Sequence, residues 1–287
     1  MNRKIRNMIA STLALALIGS LAFAQADLTE IQESGSIRIA TANEIPYGWI
    51  DENGDARGIG PDVAEAVLAN MGVTDIDWTV TEFGSLIPGL IADRFDMVAA
   101  SQAVLPARCE QVDFSIINSS YGEGLLVEAG NPQDIHGYED FVDNSNLTMG
   151  IVSGADQLDF AQAYGLRQNQ IVSIPSNTDA LSAVATGRVD AYAATGLTVG
   201  RLALNSEDVE AAEPFTDPVV DGEPVRSFGA FTLNADSDEF REAFNEELGA
   251  FQETQEYRDI LLSHGLTEQD IDAALAVTTE ELCSGEG

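Results

Sequence analysis

Arg108 has the most specific chemistry in this sequence, and it stands in the stretch SQAVLPARCEQVDF, residues 101–114. The chain carries a formal net charge of -35 at pH 7 and its only lysine is Lys4, so fixed positive charge is scarce after the first few residues. A guanidinium is a planar fork of donors that can hold a carboxylate in a bidentate pair, which lysine does not reproduce. The alternative is a surface arginine paired with Glu110 or Asp113, worth only about 0 to 1 kcal/mol.

The segments around Arg108 have the periodicity of alternating strands and helices. In chain order they are the strand SIRIATA (36–42), the helix GPDVAEAVLANMG (60–72), the strand DIDWTVTEF (75–83), the short helix LIPGLIADRF and the strand DMVAAS (96–101). This alternation predicts a parallel α/β sheet. Between the first strand and helix, GWIDENGDARGIG predicts a small hairpin that turns at Asn53 and Gly54.

The same order of elements begins again near residue 146, with strands in NLTMGIVSG, QIVSIP and VDAYAA and helices between them. Roughly 260 residues after the leader exceed the usual domain of about 100 to 150, which favours two cores. Apolar, glycine-punctuated segments at 122–130 and 227–235 suit two crossings between lobes. We therefore expect lobe 1 at residues 25–124 and 231–287, and lobe 2 at residues 125–230.

Residues 1–24 are typical of a cleaved signal peptide. Arg3, Lys4 and Arg6 form a basic region, Met8 to Leu21 an apolar run, and Ala22 to Ala24 a small-residue cleavage site. A membrane anchor is the alternative, but it needs about 20 clean apolar residues. No cysteine stands at the end of this run, where lipid attachment would need a new N-terminal cysteine. We expect a periplasmic protein released by signal-peptide cleavage.

The charge of the chain limits its partners. Removal of the leader takes away three cations and no acid, which leaves 48 acids against 10 arginines and a net charge of -38. Such a surface would not attract nucleic acid or an anionic membrane. Apolar residues make up 45% of the chain, so disorder is a poor explanation. The lysine-free, acidic composition resembles that of halophilic proteins.

Cys109 and Cys283 are the only cysteines. An even pair in an exported protein predicts a disulfide, which would pin the C-terminal tail to lobe 1 beside Arg108. Two free thiols are the alternative. His136 and His264 have no metal-ligand spacing with either cysteine, and we expect neither a metal nor a cofactor.

Three stretches carry a family resemblance: IATANEIPYGWIDENGDARGIGPDVAEAVLANMG, FGSLIPGLIADRFDMVAAS and PARCEQVDFSIINSSYGEGLLV. They resemble the extracellular solute-binding proteins of ABC importers, in the class that binds polar amino acids. Within that class, NEIPYG, EFGSLIPGL, PARC and a late ELC are most similar to ectoine and hydroxyectoine binders. The resemblance implies an α/β fold of type II, with two parallel-sheet lobes joined by a two-segment hinge. It also implies a monomer that docks on permease subunits.

The resemblance implies a ligand site between the lobes. In the family, the residue matching Arg108 grips the ligand carboxylate, while those matching Glu44, Tyr47 and Phe83 surround its cationic part. Aromatic faces attract a cation through their quadrupole, and a carboxylate adds a counter-charge. The alternatives are that Tyr47 and Phe83 only pack between turn and strand, and that Glu44 is a solvated acid. The three residues follow predicted strand ends, where open α/β sheets place ligands.

Ser101 and Ala103 belong to the same expected site. Ectoine binders carry an aromatic residue where Ala103 stands, so one wall of the aromatic box is missing. Either an aromatic residue from elsewhere fills the gap, or the pocket takes a different amino-acid-like ligand.

From lobe 2, the family places the turn matching Ser153, Gly154 and Ala155 over the ligand, with backbone donors near a helix N-terminus. Asp190 matches an acidic position near the ligand amine, although it could equally cap a strand end. Many binders have threonine at Ala155 and an acid at Thr195, and both differences weaken the case for a plain α-amino acid.

The resemblance therefore implies a binding protein that delivers ectoine or hydroxyectoine to an ABC importer, and the alternative ligand is a polar amino acid. An exported dehydratase or lytic enzyme on the same fold is a further alternative. No lysine remains after the leader, and neither H-E-x-x-H nor G-x-S-x-G occurs, so we expect no enzyme. A sensory partner of a membrane receptor would use the same fold.

We expect the melting temperature to fall as salt is lowered from about 1 M to about 0.01 M. The Debye length then grows from about 3 to about 30 Å, and the dispersed acids repel one another over longer distances. Thermal unfolding across a sodium chloride series measures this dependence. A melting temperature that is constant over the whole range would contradict the halophilic interpretation.

Overall fold

The structure, a computed structural model, describes residues 27–220 and 222–285. Its strands form a six-stranded sheet, a five-stranded sheet and two short two-stranded pairs. We call the six-stranded sheet with its helices lobe 1, and the five-stranded sheet with its helices lobe 2. The predicted signal peptide lies outside the described residues. Within those residues, no helix combines the length and apolar composition that a membrane crossing needs.

The strands are short, and they alternate with helices along most of the chain. The strands are β1 (Ser36–Thr41), β2 (Trp49–Ile50), β3 (Ala56–Arg57), β4 (Asp75–Val80), β5 (Met97–Ala103), β6 (Asp113–Phe114), β7 (Ser119–Tyr121), β8 (Glu123–Glu128), β9 (Met149–Val152), β10 (Ile171–Ile174), β11 (Ala191–Thr195), β12 (Val209–Ala211), β13 (Val219–Val220), β14 (Glu223–Pro224) and β15 (Ser227–Leu233).

The helices cover both sheets. They are α1 (Leu28–Ser34), α2 (Ile59–Asn70), α3 (Leu86–Ile91), α4 (Pro106–Cys109), α5 (Glu139–Asp143), α6 (Gln157–Ala163), α7 (Asn177–Ala185), α8 (Gly196–Ala203), α9 (Asp238–Gln252), α10 (Gln255–Ser263), α11 (Glu268–Leu275) and α12 (Thr279–Ser284).

The first sheet has the strand order β4-β1-β5-β15-β6, with β7 also paired to β15. Strand β1 is parallel to both β4 and β5. Helix α2 is amphipathic and buries Val63, Val67 and Leu68, while α9 buries Phe240 and Phe244 in the same core. Each such side chain stabilises the lobe by about 1.5 to 3 kcal/mol through removal of apolar surface from water.

The second sheet has the order β10-β9-β11-β8-β12, and β9 is parallel to β10 and β11. The first strand of each repeat, β1 or β9, therefore lies between the second and the third. This order follows when successive strand-helix-strand units cross over with the same hand. The repeat predicted from the sequence is thus a repeat of topology as well. The predicted hairpin is also present, as β2 and β3 turn through Asn53 and Gly54.

The chain changes sheets at β8 and β15. Strand β8 begins at Glu123 and β15 at Ser227, so the expected boundaries at 124/125 and 230/231 fall inside strands. Strand β8 runs antiparallel to β11, and β15 runs antiparallel to β5. Each crossing strand enters its sheet from the cleft, whereas the repeat strands run toward the cleft. The two sheets are therefore mixed and not wholly parallel.

A disulfide joins Cys109 in α4 to Cys283 in α12, which are 174 residues apart in sequence. This is the pairing expected from the sequence. Because α4 also carries Arg108, the bridge fixes the C-terminal helix against the element that presents the guanidinium.

Replacing both cysteines, Cys109→Ser with Cys283→Ser, should lower the free energy of unfolding by up to about 5 kcal/mol, because the open chain gains loop entropy when it unfolds. Urea denaturation under non-reducing conditions measures the change. Ser284→Ala in the same helix is the matched control and should cost little. Equal stability of the wild type and the double variant would show that the bridge carries no stabilisation.

Candidate functional site

A cavity lies between the carboxyl ends of the two sheets, where open α/β sheets bind ligands. Five predicted residues of lobe 1 line it: Glu44, Tyr47, Phe83, Ser101 and Ala103. The enclosed space is small, about 30 Å³. A ligand larger than one or two waters would therefore need the walls to move outward.

Arg108 is buried beside this cavity, with 8% of its surface exposed. Its Nη1 donates to the carbonyl oxygen of Ala103 at 2.7 Å, and its Nη2 donates to the carbonyl oxygen of Gly154 at 2.8 Å. The second bond reaches across to lobe 2. The guanidinium carbon lies 5.7 Å from the centre of the Phe83 ring, a distance suited to a cation-π contact.

The surface ion-pair alternative for Arg108 is wrong. Asp113 pairs instead with Arg241, Nε to Oδ2 at 3.2 Å. Among the described residues, no salt bridge joins Arg108 to Glu110 or to Asp113. Arg108 therefore keeps N–H groups beyond the two that bond carbonyl oxygens, because a guanidinium has five donors.

Glu44 follows β1 and is held by lobe 2. The residue is partly exposed, but its carboxyl group is enclosed. Thr198 Oγ1 in α8 donates to Glu44 Oε1 at 2.8 Å. Burial raises the pKa of Glu44 above its ordinary value, while hydrogen bonds from Thr198 and Asn177 oppose that rise. Glu44 is therefore not a solvated surface acid.

Two tyrosines from other strands add aromatic surface to the cavity. Tyr121 from β7 and Tyr192 from β11 line the same cavity as Tyr47. Tyr47 and Tyr121 pack edge to face, with ring centroids 5.0 Å apart. The Tyr47 hydroxyl faces Thr195 without reaching hydrogen-bond geometry. Aromatic side chains from β7 and β11 thus line the same cavity as Ala103.

Ser101 lies at an irregularity of β5. Its φ is 46°, in the left-handed region, and the register with β15 shifts between Ala230 and Thr232. Such bulges re-aim side chains, often beside binding sites. The Tyr121 hydroxyl donates to the Ser101 carbonyl oxygen at 2.9 Å, whereas Ser101 Oγ is buried and has no partner within residues 27–220 and 222–285.

The lobe 2 turn after β9 faces the cavity, although its backbone is used differently from the expectation. Ala155 lines the cavity. The N–H groups of Ser153 and Ala155 bond carbonyl oxygens within lobe 2, and the Gly154 carbonyl accepts from Arg108. Ser153 Oγ bonds Ser173 Oγ at 2.7 Å. Of the N–H groups of Ser153, Gly154 and Ala155, only that of Gly154 is therefore without a backbone partner in this turn.

Asp190 does not belong to this cavity. It directly precedes β11, and its Oδ2 accepts from the N–H and the hydroxyl of Thr148 at 2.7 and 2.8 Å. The cavity is lined instead by Thr195, at the carboxyl end of the same strand. Five residues of strand separate the two ends by roughly 16 Å. The strand-end role is the one that the structure gives Asp190.

Three polar residues of the cleft were missed. Asp156 and Gln157 line the cavity, and Glu123 bonds to Gln157, Nε2 to Oε2 at 2.7 Å. Asp156 Oδ2 accepts from Ser227 Oγ at 2.8 Å. The sequence could have indicated the burial of Glu123, because this acid stands at the start of an apolar crossing strand, where its side chain has little contact with solvent.

Comparisons with known proteins agree on the family of this chain. The model of bacterial extracellular solute-binding proteins, family 3, matches residues 37–267. A probable amino-acid ABC transporter periplasmic-binding protein, y4tE of Sinorhizobium fredii, is 49% identical over 278 residues, which cover 96% of this chain and 92% of that protein.

Two further proteins are similar over most of the chain. The lysine/arginine/ornithine-binding periplasmic protein of Escherichia coli is 27% identical and covers 87% of this chain and 94% of its own length. The crystal structure of EhuB in complex with hydroxyectoine superposes with a TM-score of 0.80 at 29% identity, covering 89% of this chain and 97% of that one.

These matches agree with the prediction of a binding protein and not an enzyme. They also agree with the predicted two-lobed fold of type II. The chain therefore belongs to the bacterial extracellular solute-binding proteins of family 3, and it is a periplasmic solute-binding protein of an amino-acid ABC transporter.

Proposed function

We propose that this protein binds a small amphoteric solute between its lobes, with ectoine or hydroxyectoine as the candidate ligand, and delivers it to the permease of its importer. One observation carries the proposal. Arg108 and Glu44, of opposite charge, both come from lobe 1, and both are hydrogen-bonded to lobe 2 at the same cavity. A ligand with separate anionic and cationic parts complements this pair. The likeness to EhuB with hydroxyectoine supports a cyclic zwitterion.

The carboxylate of the ligand would pair with Arg108. The guanidinium is buried, so a carboxylate beside it would be shielded from water, and a charge-assisted bond there is stronger than at the surface. Its bond to the Ala103 carbonyl oxygen, which lies in the same lobe, orients the guanidinium before a ligand arrives, and the bond to Gly154 adds to this when the lobes close. Arg108 thus offers an oriented pair of donors.

The cationic part of the ligand would meet Glu44 and the aromatic walls. Tyr47, Phe83 and Tyr192 line the cavity beside that carboxyl group. A cation over an aromatic face gains about 0.5 to 2 kcal/mol, and more as water is removed. Burial raises the pKa of Glu44, and a cationic partner beside the carboxyl group would lower it again because it favours the charged form.

Ligand binding would shift the protein toward the closed arrangement of the lobes. A ligand that touches both lobes stabilises the closed state by its differential contacts, and hinge closure is the usual movement of such proteins. The lobe-to-lobe bonds of Arg108 with Gly154 and of Thr198 with Glu44 would form only in that arrangement. The permease would then receive the closed, loaded form.

A polar α-amino acid is the second candidate ligand. Ala103 stands where the ectoine binders carry an aromatic residue, and the cavity holds Glu44 and Asp156 against the single guanidinium of Arg108. The similarity to a lysine/arginine/ornithine-binding protein supports this candidate. Titration of both classes of solute therefore decides between them.

Arg108→Ala should weaken ligand binding by about 2 to 5 kcal/mol, because it leaves the ligand carboxylate buried and unpaired. Arg108→Lys should recover only part of the loss, since an ammonium is not a bidentate fork. Isothermal titration with ectoine, hydroxyectoine and polar amino acids measures both effects. Arg94→Ala, at an exposed arginine, is the matched control. Failure of every zwitterion to bind at millimolar concentration, or unchanged binding by Arg108→Ala, would refute the proposal.

Gly84→Ala should impair closure without harming either lobe. A β-carbon at Gly84 would lie 2.8 Å from the carbonyl oxygen of Ser153 in the opposite lobe, which is closer than van der Waals contact allows. We expect a cost of about 1 to 3 kcal/mol in ligand affinity from this overpacking. Gly200→Ala, where a β-carbon meets nothing within 4 Å, is the control. Titration and small-angle scattering with ligand measure the effect, and unaltered affinity and compaction would contradict it.

A further inference from the structure

We propose that Leu197 determines solute affinity from outside the cavity, because its side chain packs across the lobe interface only when the lobes close. The inference rests on the proposed function, since it concerns the closure that solute binding completes. Leu197 belongs to helix α8 of lobe 2 and is not among the residues that line the cavity. Its contribution to affinity is therefore the same for every solute.

Helix α8 carries apolar side chains on two opposite faces. Val199, Leu202 and Ala203 pack into the core of lobe 2. Leu197 is turned by roughly 180° from the centre of that face, because successive residues of an α-helix are about 100° apart. It packs instead against the core of lobe 1. One helix of lobe 2 is thus shared between the two cores.

Leu197 contacts lobe 1 at the turn that ends α10. Gly265 stands in this turn with a φ of 103°, in the left-handed region that glycine adopts without steric cost. A β-carbon added to Gly265 would lie 3.4 Å from Leu197 Cδ2 and 3.9 Å from Arg201 Nη2. The next residue, Leu266, is buried in the core of lobe 1. The tip of Leu197 therefore lies against a bare backbone turn beside this core.

The apolar contact of Leu197 adjoins a polar contact that also joins the lobes. Thr198, the next residue in α8, is buried and donates to Glu44 in lobe 1. Gly196, on the other side of Leu197, donates its N–H to the carbonyl oxygen of Gly122, directly before the crossing strand β8. The first turn of α8 therefore lies along the interface from the hinge to the cavity. Opening of the lobes would separate Thr198 from Glu44, and it would also lift Leu197 from lobe 1 and expose its apolar surface to water.

The contact favours the closed state whichever solute lies in the cavity. The apparent affinity scales with the population of the binding-competent state, so loss of the contact divides the affinity for all solutes by one factor. A residue that touches the solute, by contrast, changes the preference between solutes. Leu197 should act chiefly on the dissociation rate, because its contact must break before the solute leaves, whereas association begins from the open form.

Leu197→Ala should weaken the binding of hydroxyectoine and of L-arginine by the same factor, about threefold to tenfold, because the variant loses apolar surface that closure buries. Isothermal titration of the full mature chain measures the affinities, and stopped-flow fluorescence measures the two rates. Leu197→Met keeps most of the apolar surface and should bind as the wild type does. Leu204→Ala, directly after the same helix and 81% exposed, is the matched control and should change nothing. Leu197→Val is the second variant if Leu197→Ala does not fold.

The outcomes separate this inference from the proposed function. Equal affinities of the wild type and Leu197→Ala, a loss for only one of the two solutes, or a loss carried by the association rate would overturn the role of Leu197 and leave the proposed function standing. If no zwitterion binds the wild type at millimolar concentration, the proposed function fails, and amide hydrogen exchange of the protein without solute decides on the contact. Faster exchange of residues 262–268 in Leu197→Ala than in the wild type and Leu204→Ala then supports it, and equal exchange overturns it.

Discussion

The burial of like charge is the constraint on which the cleft depends. Glu44, Glu123 and Asp156 lie close enough to affect one another, in a place where water cannot fully solvate them. Taking a carboxylate out of water is costly unless donors replace the water. These donors are neutral hydroxyl groups. The hydroxyl of Thr198 donates a hydrogen bond to Glu44, and that of Ser227 donates one to Asp156. Thr198 lies on the opposite lobe and Ser227 on a crossing strand, so the groups that compensate the acids also connect the parts that must move.

The topology explains why these groups meet. In both sheets the repeat strands run toward the cleft, so their carboxyl ends and following turns face each other. The turns can approach closely because Gly84 and Gly154 have no β-carbon, and one added at Gly154 would lie 3.0 Å from Gly84 Cα. Phe83 packs against cores of both lobes. Backbone, apolar and charged contacts thus lie together where the two lobes meet. Closure of the lobes is therefore sensitive to small changes of side-chain size at this place.

Local signals were sufficient for much of this structure. The periodicity of SIRIATA and of the α2 segment predicted elements whose ends agree within one or two residues, and glycine at the Asn53-Gly54 turn predicted the hairpin. Residues after strand ends were correctly placed at the cavity, because chain direction alone brings carboxyl ends of parallel strands together. The same rule explains why the predicted ligand role of Asp190 was wrong: the residue stands at the amino end of β11, away from the cavity.

Long-range properties were not available from the sequence. The antiparallel direction of the crossing strands depends on where the chain enters each lobe, which no local pattern encodes. The burial of Glu123 and Asp156 depends on both crossing strands and on helix α6 meeting at the hinge. The chain has 48 aspartates and glutamates, so residue type alone does not show which of them are buried.

The scarce arginines separate into two uses, and this distinction explains the placement of Arg108. Arg38, Arg226 and Arg258 each pair with acids at partly exposed positions, where an ion pair contributes little beyond local order. Arg108 bonds backbone carbonyls instead, so its charge is oriented but not neutralised by a fixed partner. An acid-coated surface gives the cleft a field that draws cations inward. Arg108 is thus a buried guanidinium whose charge no salt bridge within the described residues compensates, which distinguishes it from the three arginines that only order the surface.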